Sequence, residues 1–175
     1  PQLDDDGWQT LLTNLDRLTA VAAERGVLAV LHPHVGTMIE NGQEVQEVLV
    51  GSSIALCLDT GQLLIGGADP ADLAQQAPER IAHLHLKDVD STIAAMVRSG
   101  ELTYYEAVKQ GMYRPLGTGD VDVTAIVGHL RTHGYDGWYT LEQDTILTGE
   151  PEGDGPVADV VTSAEHLRAV LSRGR

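Results

Sequence analysis

Apolar positions along the chain alternate between two rhythms. Trp8, Leu11, Leu12, Leu15, Leu18, Ala22 and Ala23 recur every three or four residues, which predicts a helix over 7–25 closed by Gly26 as a left-handed cap. Val27 to His32 then reads as a strand, 41–49 as a short helix, and Ile54 to Leu58 as a second strand, apolar on both faces as a buried parallel strand is. Asp69-Pro70 is an N-cap followed by proline at the first helical position, opening a helix to about Pro78. Ile81 to Leu86 is a third strand. Residues 91–111 read as two short helices, the second holding Tyr104 and Ala107, followed by a loop at Gly117, Gly119 and Asp120. Asp122 caps a helix to His133 that Gly134 stops, Trp138 to Leu141 is a fourth strand, 150–156 is a loop and 158–172 the last helix. Strands alternating with helices predict an α/β fold with a parallel sheet.

Side chains alternate across a strand. Leu28, Val30, His32 and His34 share one face of the first strand, Ala55, Cys57 and Asp59 one face of the second, His83, His85 and Lys87 one face of the third, and Trp138, Thr140 and Glu142 one face of the fourth. The opposite face is apolar or aromatic each time and suits packing against helices. The first face turns ionisable toward the carboxyl end of its strand. A closed βα barrel places that end at its catalytic mouth. Imidazole and carboxylate gathered there suit Mn²⁺, Co²⁺, Zn²⁺ or Mg²⁺. Each residue also has a bland reading. Asp59-Thr60-Gly61 is a turn or helix cap, His83 a satisfied core histidine one layer below His85, and Lys87 a counter-charge for nearby carboxylates.

The charge balance of 11 Lys and Arg against 26 Asp and Glu, net −15, disfavours binding to phosphate backbones and fits a cation or an uncharged small molecule. A single cysteine, Cys57, excludes an internal disulfide and a thiolate zinc cluster. No apolar run approaches the roughly 20 residues of a membrane helix, and PQLDDDGW carries no basic and apolar signal segment. The expectation is a cytoplasmic protein with no nucleic-acid or membrane partner.

Five segments, HPHVGTMIE (32–40), LDTGQ (58–62), RIAHLHLKDVD (80–90), YRPLGTGDVD (113–122) and GYDGWYTLEQD (134–144), together resemble the xylose-isomerase-like barrel superfamily. Within it they are most similar to the sugar phosphate isomerase/epimerase and inosose dehydratase groups. The resemblance implies a TIM (β/α)8 barrel with one divalent metal. Its ligands map onto Asp59, His85 and Glu142, after strands five, six and eight. A fourth ligand, usually Glu, belongs after strand four. That stretch here reads His32-Pro33-His34, with Glu40 the nearest acid, so the fourth position falls to His32, Glu40 or water. Gln62 stands where many relatives carry a histidine that touches substrate. The likeness starts at the helix before strand four, so residues 1–175 are expected to form one domain, a partial barrel lacking the first three βα units.

The implied chemistry is proton abstraction next to a metal-bound carbonyl, giving isomerisation, epimerisation or, if a β-hydroxyl leaves, dehydration. The substrate is expected to be a small sugar or cyclitol, with a keto-inositol favoured. Glu142, His34 and Glu40 are the candidate bases, Lys87 a stabiliser of the developing charge, and Gln62, Lys87 and Arg114 candidate substrate contacts. A complementing chain or a second copy is an expected partner. The alternatives are a non-catalytic barrel acting as a binding subunit and, less favoured for so acidic a chain, an apurinic endonuclease-like phosphodiesterase.

Overall fold

The computed structural model describes residues 3–147 and 149–173. In chain order the elements are α1 (Asp5–Ala23), β1 (Val30–Leu31), α2 (Gly42–Gly51), β2 (Ala55–Asp59), α3 (Thr60–Ile65), α4 (Pro70–Gln76), a 3-10 turn (Pro78–Arg80) and β3 (Ile81–Leu86). There follow β4 (Asp88–Val89), α5 (Ser91–Arg98), α6 (Tyr104–Lys109), β5 (Tyr113–Arg114), α7 (Val123–Thr132), β6 (Tyr139–Leu141) and α8 (Pro156–Ser172). Strands β1, β2, β3 and β6 form a parallel sheet in that order. Strands β4 and β5 form a small antiparallel ribbon beside it.

Capping explains most of the helix starts. Asp4 accepts from Gly7 N–H at α1, Asp69 from Ala71 N–H at α4, and Asp122 from Ala125 N–H at α7. Asn41 with Glu44, and Thr103 with Glu106, make full capping boxes at α2 and α6. Gly26 and Gly134, at φ 68° and 83°, close α1 and α7 in the left-handed conformation anticipated for them. The core lies between sheet and helices. Leu56, Leu58, Leu84 and Leu86 are buried there with Val48, Leu73, Ile126 and Leu130. Each such side chain contributes about 1.5–3 kcal/mol of hydrophobic burial.

Two strand bounds need correction, and one helix is added. The first strand is only Val30–Leu31, because β1 is an edge with β2 as its sole partner among the described residues; Val27 and Leu28 precede the ladder and stay exposed. The fourth strand starts at Tyr139, and Trp138, expected on the inner face with Thr140 and Glu142, is 80% exposed. Asp59-Thr60-Gly61, read as a turn or a helix cap, is the cap: residues 60–65, assigned no element from the pattern, form the helix α3, which Asp59 caps.

Candidate metal centre

Register brings the strand ends together. Leu56 pairs with Ile81, but Cys57 pairs with His83, so β3 carries one extra residue, Ala82, at that point. Unbroken pairing would set Asp59 beside Leu84. The irregularity sets it beside His85, and side chains in register on adjacent strands project to the same side. On the other flank His85 pairs with Thr140, and Glu142 N–H donates to the Leu86 carbonyl at 3.2 Å, extending the ladder past β6. One donor atom from each of Asp59, His85 and Glu142 lies within 4.8 Å of the other two.

Asp59 serves two structures at once. Its Oδ1 accepts from Gln62 N–H at 2.9 Å, capping α3. Its Oδ2 faces His32 Nε2 at 3.1 Å, Lys87 Nζ at 3.4 Å and His85 Nδ1 at 3.6 Å. The cap and the ligand readings therefore coexist, one per oxygen. Burial pushes this carboxyl up. The His32 hydrogen bond, the Lys87 charge and the Gln62 N–H together outweigh it and hold the group below its ordinary value, as the carboxylate.

His85 Nδ1 and Glu142 Oε2 approach to 2.8 Å, yet both are buried atoms without a hydrogen-bond partner among the described residues. Proximity without hydrogen-bond geometry means that the two are not satisfying each other. A bound cation satisfies both at once, and this is the feature of the site that fits a metal best. Burial keeps His85 below its ordinary pKa against the opposing pull of Glu142 and Asp59, which favours the neutral imidazole that ligates. Charge points the same way. Lys87 Nζ sits 3.4 Å from Asp59, 3.0 Å from Glu142 and 3.1 Å from Asp144. One ammonium against three carboxylates leaves two negative charges, the number that a divalent cation neutralises.

Lys87 is 2% exposed and held at both ends. Thr60 Oγ1 donates to its carbonyl and accepts from its N–H, which fastens the start of α3 to the end of β3. A Cβ on Gly61 would stand 2.7 Å from Lys87 Cβ, so only glycine admits this approach. Burial alone lowers the Lys87 pKa, but Asp59, Glu142 and Asp144 raise it well above the ordinary lysine range, and the side chain stays charged.

The remaining expected site residues distribute as follows. His32 stands beside the triad, on Asp59, with its ring centroid 4.9 Å from that of His85. His34 borders a cavity of about 450 Å³ together with Lys87, Tyr104, Glu142 and Asp144. Its Nδ1 lies 2.8 Å from the Val35 carbonyl. A carbonyl only accepts, so Nδ1 carries the proton and Nε2 is the free acceptor. The Glu40 carboxylate accepts from Gly36 N–H at 2.7 Å and closes its own loop. Gln62 bonds to Tyr104, Tyr113 and Val35. Arg114 pairs with Asp90 at 3.0 Å across the β4–β5 ribbon. His83 lies under His85, 3.5 Å from Thr140 Oγ1, as a packed histidine does. Cys57 joins His32 and His85 in a second donor group, but burial and then the Asp59 and Glu142 charges push its thiol up to about 12. Protonated, it is the poorer ligand.

Sequence reasoning passed over Asp144, Asp88 and the tyrosine pair. Asp144 continues the alternation 138, 140, 142 by one step, and that signal was present. Asp88 is buried and accepts from Gly117, Gly119 and Val121 N–H, shaping the 115–121 loop. Nothing in its spacing announces this. Tyr104 and Tyr113 meet only through tertiary packing.

Residues 1–170 match the family model described as xylose isomerase-like TIM barrel. The chain is 33% identical over 147 residues to an inosose dehydratase of Geobacillus thermodenitrificans (strain NG80-2), covering 82% of this chain and 49% of that protein. It is 30% identical over 175 residues to an inosose dehydratase of Lacticaseibacillus casei, covering 98% and 57%. The chain thus spans about half the length of the curated relatives it matches. Among solved structures, a probable 3-DHS dehydratase AsbF from Bacillus anthracis superposes with a TM-score of 0.67 at 20% identity, over 99% of this chain and 60% of that one. The IOLI protein with a binding zinc atom superposes at 0.68 and 16% identity, over 99% and 59%. These structures share the fold, and with the match over nearly its whole length the chain belongs to the xylose isomerase-like TIM barrel family.

Proposed function

We propose that this chain supplies the carboxy-terminal βα units and the metal centre of a divalent-metal-dependent enzyme that isomerises, epimerises or dehydrates a keto-sugar or keto-inositol. The observation that carries the reading is the pair of unpartnered buried atoms, His85 Nδ1 and Glu142 Oε2, facing Asp59 Oδ2. Asp59, His85 and Glu142 would hold the ion, with His32 the nearest further donor. Two carboxylates and an imidazole accept Mn²⁺, Co²⁺, Zn²⁺ or Mg²⁺. A cation there supplies Lewis acidity to a substrate carbonyl.

The chain's own residues supply the rest. His34 lines the cavity with its Nδ1 engaged by the Val35 carbonyl, and its Nε2 would take the proton next to the carbonyl. Lys87 brings the positive charge that opposes the charge developing on the carbonyl oxygen. Asp144 and Glu142 hold that ammonium in place and accept hydrogen bonds from substrate hydroxyls. Their surplus of negative charge disfavours a phosphorylated substrate, and Arg114, the other candidate anion contact, is engaged by Asp90. The inosose dehydratase relatives favour a keto-inositol within this class.

The test offers keto-inositol and a panel of ketoses to the Mn²⁺-loaded protein. Turnover should fall about 10²–10⁴-fold in His34→Ala. Absence of turnover on every substrate, with the cation demonstrably bound, would overturn the reading.

A further inference from the structure

The cavity beside the metal centre contains a hydrogen-bond network in which the placement of every proton is decided. Val35 N–H donates to Gln62 Oε1 at 3.3 Å. That fixes the amide, because the flipped orientation would set two donors against each other. Gln62 Nε2 therefore faces the tyrosines and donates to Tyr113 at 2.9 Å and to Tyr104 at 3.3 Å. Both amide protons are then used.

The two hydroxyls lie 2.7 Å apart, and one must donate to the other. If Tyr104 donated, the Tyr113 proton would have no acceptor. Tyr113 is 5% exposed, and its only hydrogen-bond neighbours among the described residues are the Gln62 donor and Tyr104. A buried donor without an acceptor is the costlier arrangement, so Tyr113 donates to Tyr104. Tyr104 has then accepted from both partners and keeps its own proton. Of the two tyrosines, Tyr104 is the one that lines the cavity, which it shares with Lys87, Glu142 and Asp144.

We propose that Tyr104 is a substrate-binding hydrogen-bond donor, aimed by Gln62 and Tyr113 at an oxygen of the polyhydroxy substrate. The assignment rests on reading this cavity as the sugar site. It gives Gln62 a definite task as a positioning residue, since its amide orients both hydroxyls. It also complements Glu142 and Asp144, which offer acceptors to the same cavity where Tyr104 offers the donor.

The experiment compares wild type and Tyr104→Phe, both loaded with Mn²⁺, on keto-inositol and on its monodeoxy analogues. Loss of one substrate hydrogen bond should raise KM for keto-inositol about tenfold, with a smaller change in kcat and unchanged Mn²⁺ affinity. The analogues separate contact from packing. The analogue that lacks the contacted oxygen should cost wild type about tenfold in KM and cost Tyr104→Phe nothing further. A KM increase in the variant that is the same for every analogue marks a purely structural role, and that result would overturn the proposal while leaving the enzyme reading intact. If wild type turns over nothing, the enzyme reading fails, and calorimetry with myo-inositol decides the donor separately. Binding about tenfold weaker in Tyr104→Phe supports it; equal binding in both proteins, or none to wild type, overturns it.

Discussion

Asp59 and Lys87 are joined twice, once directly through Oδ2 and Nζ at 3.4 Å and once through the backbone, where Thr60 next to Asp59 clasps both main-chain groups of Lys87. The carboxyl end of β2 and that of β3 are thereby held as one unit, and the donor set inherits that rigidity.

The split use of the Asp59 oxygens would separate the binding of a cation from folding. Asp59→Asn keeps an acceptor for Gln62 N–H but removes the charge from the ion. Mn²⁺ affinity should fall at least about 10-fold to 100-fold, while the α3 cap survives and thermal stability without metal falls only through the lost pairing with His32 and Lys87. Asp59→Ala should also lose the cap, costing about 1 kcal/mol. Calorimetric titration beside thermal melts reads both, and an Asn variant with wild-type affinity would remove Asp59 from the ligand set.

Lys87 neutralises the carboxylates that a cation would otherwise meet bare. Replacing it with Met should strengthen Mn²⁺ binding severalfold and destabilise the metal-free protein by about 3 kcal/mol, because buried Asp59 loses its compensating charge. Added Mn²⁺ should restore much of that stability. A Met variant melting at the wild-type temperature without metal would contradict this balance.

Gly61 admits the Lys87 side chain at a distance no Cβ tolerates. Gly61→Ala should cost about 1–3 kcal/mol by overpacking and weaken Mn²⁺ binding through displaced Lys87 and Asp59. An unchanged denaturation midpoint in urea would show that the α3 start relaxes freely.

Asp90 caps α5 and pairs with Arg114, and the Ile93 N–H followed by Arg114 holds its carboxyl below the ordinary 3.8. The unfolded chain therefore takes up this proton first as pH falls. The stabilisation is complete above about pH 4 to 5 and drains away through the lower folded pKa. Asp90→Asn keeps a cap acceptor and loses the titration, so its stability should fall less steeply on acidification below that range. Parallel acid slopes for the two proteins would refute the assignment.

The sequence by itself determined the alternation of strands and helices, the caps at Asp69 and Asp122, the glycine stops at Gly26 and Gly134, and the side of each strand on which the ionisable residues fall. These follow from side-chain period, capping and positive φ, all properties of neighbouring residues. It likewise presented Asp59, His85 and Glu142 as a set. What it could not supply was the register. The extra residue Ala82 puts His85, and not Leu84, beside Asp59, and that depends on how two whole strands pair. Only the tertiary structure joined Tyr104 to Tyr113 and Gln62, gave Lys87 its third carboxylate in Asp144, and turned Asp88 inward to hold a loop. Those contacts link residues on separate elements, and no local rule of spacing reaches between them.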